Sequence, residues 1–312
     1  MRGEWDVKTK AETLGATVFL ASLPLVGAMA LADGVSGSSG GYLQTVPITV
    51  PAYRGLEPRL ALGYSSQGRG GFTGVGWGLS GFGTVERVGA GLGSPRYDST
   101  DVYLLGGLEL LPCPAPNASP SCTSGGTHTT KTESNLKIRY DAGPNTWSVW
   151  ARNGTRTVFS AVYATPSGTL WWGQTSVIDT HGNTVTYAWT CPSGEDCYPD
   201  TAIFGPYSVK AYRETRPDVM SLATGHSGTL RQIRSRLKSV LVKCNTSPVR
   251  AYKLAYATST ETGRSLLMSV QEYGKDVAID GSGAITGGTS LPPYLFEYQS
   301  DPLAHSFQRW GE

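Results

Sequence analysis

The sequence predicts an all-β protein of short antiparallel strands arranged as sandwich- or barrel-like sheets with Gly-rich loops. Three observations carry that expectation. Glycine supplies 40 and proline 19 of the 312 residues, a turn-rich composition that weighs against a helical architecture. Runs of β-branched and aromatic residues recur at roughly ten-residue spacing, with Gly, Pro or Asn between nearly every pair. Asn153-Gly154 and Gly182-Asn183 sit between such runs and read as hairpin turns. A hydrophobic content of 39% excludes a disordered chain, and a formal charge of +2 argues against a general nucleic-acid binder.

Along the chain, the first element differs from the rest. The stretch 14–32 carries no charge and ends in Ala30-Leu31-Ala32 before Asp33, which reads as a signal peptide over 1–32. Its leading bases Arg2, Lys8 and Lys10 are matched by Glu4, Asp6 and Glu12, a departure from the usual pattern. A retained membrane anchor is the alternative, which Pro24 and the small residues at the end of the stretch disfavour. The expected product is a secreted protein. Residues 33–41 read as a flexible lead-in, 42–300 as a β-rich domain with a seam near 198–228, and 301–312 as a short tail.

Within the β-rich part, Val46, Ile48 and Val50 share one strand face, and strand character resumes at 59–62. Twelve glycines between Gly63 and Gly93 predict tight loops anchored by Phe72, Trp77, Leu79 and Phe82. Strands are expected over 102–111, 136–140, 147–151, 157–163, 169–179 and 184–189, then over 236–243, 249–256, 265–273 and 293–298. Apart from the signal segment, 228–237 is the one helix candidate.

All five cysteines follow Asp33. Cys113 and Cys122 bracket one Pro- and Ser-rich loop, and Cys191 and Cys197 bracket another, so two local disulfides are expected in an oxidising compartment. A zinc site is the weaker reading, because neither spacing is the short one of a zinc finger. Cys244 is left over.

The motifs of catalysis are poor matches. Gly76 to Gly81 satisfies G-x-G-x-x-G, but no helix follows to present its N-terminus to a pyrophosphate, so no cofactor is expected. Gly37 to Gly41 satisfies G-x-S-x-G in a polar linker, and the similar Gly225-His226-Ser227-Gly228 breaks at Thr229. The basic run Arg231, Arg234, Arg236, Lys238 and Lys243 reads as a solvated strand face. Most tryptophans are expected in the core. The adjacent pair Trp171 and Trp172 points to opposite faces of a strand, which makes them the candidate exposed binding aromatics.

A further pattern runs through the whole β-rich part. Val46-Pro47-Ile48-Thr49-Val50-Pro51 is followed by Gly74-Val75-Gly76-Trp77-Gly78-Leu79, Asp179-Thr180-His181-Gly182-Asn183, Arg216-Pro217-Asp218 and Gly263-Arg264-Ser265-Leu266-Leu267. In this order the segments resemble the SpvB/TcaC-type family, the N-terminal regions of toxin-complex B components and of the Salmonella virulence plasmid B protein, related to Rhs/YD-repeat toxins. Leu105 departs from the family pattern, which often has Asp before this Gly. The resemblance implies a non-enzymatic shell or scaffold module of a secreted toxin, with further toxin segments or subunits as protein partners. It implies no cofactor, no nucleic acid and, after signal cleavage, no membrane. The alternative is a stand-alone secreted module that binds glycan or envelope components.

Overall fold

A computed structural model of the chain describes residues 34–35, 40–116, 119–226 and 228–298. The signal segment and the 301–312 tail lie outside the described residues. Tyr42–Ile48 (β1) pairs antiparallel with Leu60–Ser65 (β2), and β2 pairs with Trp77–Ser80 (β3). Gly34–Val35 adds to the outer side of β1. Period-two alternation turns Val46, Ile48, Leu60 and Leu62 inward, and all four are buried.

The Gly-rich stretch around β3 is held by close backbone contact. Gly76 has φ +76°, and a side chain there would meet the Ser65 carbonyl at 2.8 Å. Gly81 has φ +95°, and a side chain there would stand 2.6 Å from the Arg59 carbonyl. Glycine alone adopts both positions without strain. The G-x-G-x-x-G segment is therefore a packing device, with Trp77 and Phe82 as its buried anchors.

Eight strands follow: Thr84–Val88 (β4), Val102–Leu105 (β5), Leu108–Pro112 (β6), His128–Thr130 (β7), Lys137–Asp141 (β8), Thr146–Trp150 (β9), Arg156–Thr165 (β10) and Gly168–Ile178 (β11). They pair in chain order as an antiparallel meander. Strand β11 then returns to β4 through Trp171↔Glu86, Trp172↔Val85 and Gly173↔Thr84, which closes an eight-stranded barrel. Closure removes free edges from the barrel wall. Side chains fill the interior: Val85, Leu110, Ile138, Trp147, Phe159 and Trp172 form one buried cluster.

His128 projects into that cluster, 4.8 Å from the Trp147 ring and 6.0 Å from Tyr103. Burial pushes its imidazole down to about 4, so the folded barrel holds it neutral. An unfolded imidazole titrates near ~6.5. Between those values the unfolded chain binds the extra proton, so stability is expected to fall as pH drops from about 6.5 toward 4. Denaturant midpoints measured across that window check this, and His128→Phe is expected to flatten the limb.

One edge of β11 serves two partners. Its Trp171 to Gly173 part closes the barrel, while Ser176, Val177 and Ile178 pair with Thr184–Thr190 (β12). From there the sheet continues through Tyr198–Phe204 (β13), Tyr207–Ala223 (β14), Leu230–Cys244 (β15), Ser247–Thr258 (β16), Ser265–Tyr273 (β17) and Tyr294–Leu295 (β18). The small sheet packs on this extension, and Leu62, Trp77, Phe204, Leu237 and Tyr252 share its core. Polar bolts cross the sandwich. Trp77 Nε1 donates to Tyr298 Oη at 2.8 Å, Tyr298 Oη donates to the Leu267 carbonyl at 2.7 Å, and Tyr252 Oη accepts the Thr49 N–H at 2.9 Å.

The all-β expectation holds, with barrel and sandwich present in one chain. Two local expectations change. The helix expected over 228–237 is the first half of β15, because β14 supplies it with a pairing partner from Ala223↔Leu230 to Arg213↔Leu237. The stretch 198–228 contains β13 and β14, which pair with each other from Thr201↔Lys210 to Phe204↔Tyr207 inside the continuous sheet. The architecture changes at β11 instead.

Candidate functional site

Three of the features singled out in the sequence, Trp171, Arg231 and the Cys191–Cys197 loop, meet where the barrel joins the extended sheet. Strands β14 and β15 form a long hairpin whose tip reaches beyond its neighbours to the barrel. There Tyr97 Oη donates to the Thr224 carbonyl at 2.5 Å, and the His226 N–H donates to the Pro95 carbonyl at 3.1 Å. Behind the tip, Arg231 on β15 is buried between elements. Its guanidinium lies 4.1 Å from the Trp171 ring on β11, 3.1 Å from Asp196 Oδ1 and 3.8 Å from Glu86 Oε1 on β4. Trp171 Nε1 also donates to Glu86 at 3.1 Å. Burial holds the Asp196 carboxyl above the usual carboxylate range, against the pull of Arg231.

Asp196 belongs to the loop bracketed by Cys191 and Cys197, whose Cα atoms are 4.2 Å apart with the sulfurs at bonding distance. Both sulfurs lie against the Val162 carbonyl, at 3.2 and 3.1 Å, where a bulge interrupts the β10–β11 register. Cys113 and Cys122 form a second such pair, Cα atoms 5.6 Å apart, across the loop and short helix before β7. Cys244 is unpaired at the end of β15.

The candidate aromatics need correction. Trp172 is 1% exposed and lies inside the barrel, where Nε1 donates to Asn145 Oδ1 at 2.9 Å. Strand alternation does turn Trp171 outward, but Arg231 covers its ring and Glu86 takes its N–H. The basic run also splits. Arg231 is buried, and Arg236 pairs with Glu214 at 2.7 Å while stacking 4.4 Å from the Tyr256 ring. Their acidic partners come from distant strands and loops, so the run itself gave no signal of pairing.

A second buried cluster ties the Gly-rich segment to the sheet. Arg216 grips Asp218 through Nε and an Nη atom at 3.0 and 2.8 Å, and its other Nη donates to the Gly71 carbonyl at 2.9 Å. Asp218 accepts the Ser265 N–H at 2.9 Å and its hydroxyl at 2.5 Å. These contacts outweigh burial and hold its carboxyl well below the ordinary range. The sequence pattern contained Arg216-Pro217-Asp218 and Ser265, but not the contact between them.

Both clusters join elements through charge pairs, and the Ser265 hydroxyl that meets the Asp218 carboxylate is fully buried. Among the described residues no group of three or more His, Cys, Asp or Glu side chains is placed to hold a metal ion. None of their helices is long and apolar enough to cross a membrane.

Comparison with known proteins places this architecture. The mono(ADP-ribosyl)transferase SpvB of Salmonella typhimurium (strain 14028s / SGSC 2262) is 36% identical over 96 residues, which is 31% of this chain and 16% of that protein. The structure of the N-terminal domain of effector protein SpvB from Salmonella typhimurium strain LT2 matches with a TM-score of 0.60 at 18% identity, over 74% of this chain and 98% of that domain. The Photorhabdus luminescens Tc holotoxin pore structure matches with a TM-score of 0.65 at 18% identity, over 83% of this chain and 16% of that one. The crystal structure of TcdB2-TccC3 matches with a TM-score of 0.65 at 18% identity, over 91% of this chain and 18% of that one. The family model for the Salmonella virulence plasmid 65 kDa B protein matches residues 36–216, more than half of the sequence, and the chain belongs to that family, SpvB.

Proposed function

We propose that the chain is a non-enzymatic structural module of a secreted toxin of the toxin-complex or Rhs kind, one that helps to enclose or present cargo carried elsewhere. The observation that supports this best is the pairing of lengths. The fold accounts for 91% of this chain and for 18% of the much longer chain in the TcdB2-TccC3 structure, as expected of one building block. The barrel without edges and the sheet that continues from it suit a wall. In this reading both cysteine pairs are disulfides formed on export, and the partners are further toxin segments or subunits. Glycan binding is the less favoured reading, because Arg231 and Glu86 already occupy Trp171.

A wall module carries surfaces meant for neighbours. The strand β18 edge fits this reading: Leu291, Tyr294 and Leu295 are exposed, Leu295 by 73%. Such an edge associates when nothing covers it. The isolated chain is expected to show concentration-dependent association by sedimentation velocity, reduced in Leu295→Lys. A chain that stays monomeric at every concentration counts against the wall reading, and tight glycan binding lost in Trp171→Ala would replace it with the alternative.

A further inference from the structure

The loop from Cys191 to Cys197 does more than cap a hairpin. It touches the start of β15 in two ways: the Asp196 carboxylate on Arg231 at 3.1 Å, and the parallel bridge Glu195↔Gln232, in which the Asp196 N–H donates to the Gln232 carbonyl at 2.9 Å. Asp196 is next to Cys197 in sequence, so the cross-link fixes the residue that faces Arg231. Cys191 is exposed and Cys197 is 3% exposed. An incoming thiolate therefore reaches the Cys191 sulfur first.

We propose that Cys191–Cys197 is a thiol–disulfide exchange site for a dithiol reductant, and that opening it releases the start of β15, at Arg231 and Gln232, from the 191–197 loop. The inference rests on the reading that this pair is a disulfide. In the exchange, a thiolate of the reductant attacks the Cys191 sulfur, the S–S bond breaks, and Cys197 leaves as a thiolate that takes up a proton. The second thiol of the reductant then displaces Cys191, which is protonated in turn. The reductant ends as its cyclic disulfide, and the two cysteines have gained two electrons and two protons.

The consequence follows from the charges. Two buried ions are held together only while their geometry is good, because their desolvation offsets most of their attraction. With the cross-link open, the loop gains conformational freedom and Asp196 is freed to rehydrate. Arg231 keeps the Trp171 ring and the more distant Glu86 carboxylate at 3.8 Å, and β15 loses its backbone bond to the loop through Gln232. The Cys113–Cys122 pair has no such role. Its loop is held to the barrel strand by the Cys113 N–H on the Thr127 carbonyl at 2.9 Å, and among the described residues no ion pair between elements runs through it.

The test uses the full chain carrying Cys113→Ser and Cys122→Ser, untreated and after dithiothreitol. Thiol titration first reads the pair. Two added thiols on reduction are expected, and a pair already free in the untreated protein overturns the disulfide reading and the inference with it. Hydrogen exchange then reads the release. Amides of 230–236 are expected to exchange about tenfold faster after reduction, while those of 137–150 in the far barrel wall are unchanged. An intact disulfide whose opening leaves 230–236 protected, or speeds every amide alike, overturns the release and leaves the disulfide reading standing. Asp196→Asn with the pair intact is the second arm. It is expected to speed 230–236 without reductant, and unchanged exchange there overturns the part assigned to Asp196.

Discussion

Arg216→Ala is expected to lower the unfolding free energy by about 3–5 kcal/mol, the range for breaking a fully buried ion pair from one side. The side chains of Arg216 and Asp218 are 0% and 4% exposed. Alanine leaves the Asp218 carboxylate with only the Ser265 N–H and hydroxyl, and it leaves the Gly71 carbonyl without its donor. Lysine is not expected to rescue, because a point charge cannot reproduce the two-pronged grip and the third bond to Gly71. Arg216→Met combined with Asp218→Leu is expected to recover much of the loss, since removing both charges removes the orphan. Urea denaturation of the three variants checks the order.

The same pair gives an acid limb of known sign. A carboxyl held below its unfolded value contributes stability that is present above that value and lost as pH falls. The unfolded carboxyl titrates near ~3.9, so the contribution drains away below about pH 4 to 5. The double variant is expected to lack this limb and to keep the separate one that His128 sets between about 6.5 and 4.

The part of this design legible in the sequence is the local part. Alternation located most strands, including Val46 and Ile48 on the buried face of β1. The glycine excess between Gly63 and Gly93 pointed to close backbone contact, which Gly76 and Gly81 make. Barrel closure was not legible, because it depends on Glu86 meeting Trp171 from 85 residues away, and nothing near either residue encodes the meeting. The 228–237 misreading has a similar cause: Arg231 to Leu237 become a strand because β14 is long enough to pair with them. Trp171 and Trp172 show the division most clearly. Strand geometry required their opposite orientation, but which face was barrel interior and what covered the other were tertiary facts.

Trp172→Ala carries the second large expected effect, a loss of about 3–5 kcal/mol for emptying a buried indole site. Its position adds to the damage, because Trp172 pairs with Val85 at the closing seam of the barrel, on the strand that also begins the extended sheet. Comparison with Trp147 separates packing from hydrogen bonding. Both indoles are buried in the same cluster with ring centres 6.1 Å apart. Trp172 Nε1 donates to Asn145, at 2.9 Å to Oδ1 and 3.1 Å to the carbonyl, whereas Trp147 Nε1 has no hydrogen-bond partner among the described residues. Replacing each with phenylalanine removes a similar volume but opposite polar terms. Trp172→Phe takes a donor away from the Asn145 carbonyl and from Oδ1, which keeps the Tyr140 hydroxyl at 3.0 Å, while Trp147→Phe removes a buried donor that was already unpaired. Trp147→Phe is therefore expected to cost about 1–2 kcal/mol less than Trp172→Phe. Equal losses would show that packing alone sets the stability of the barrel interior, and the reverse order would mean that the Trp147 N–H has a partner in solution.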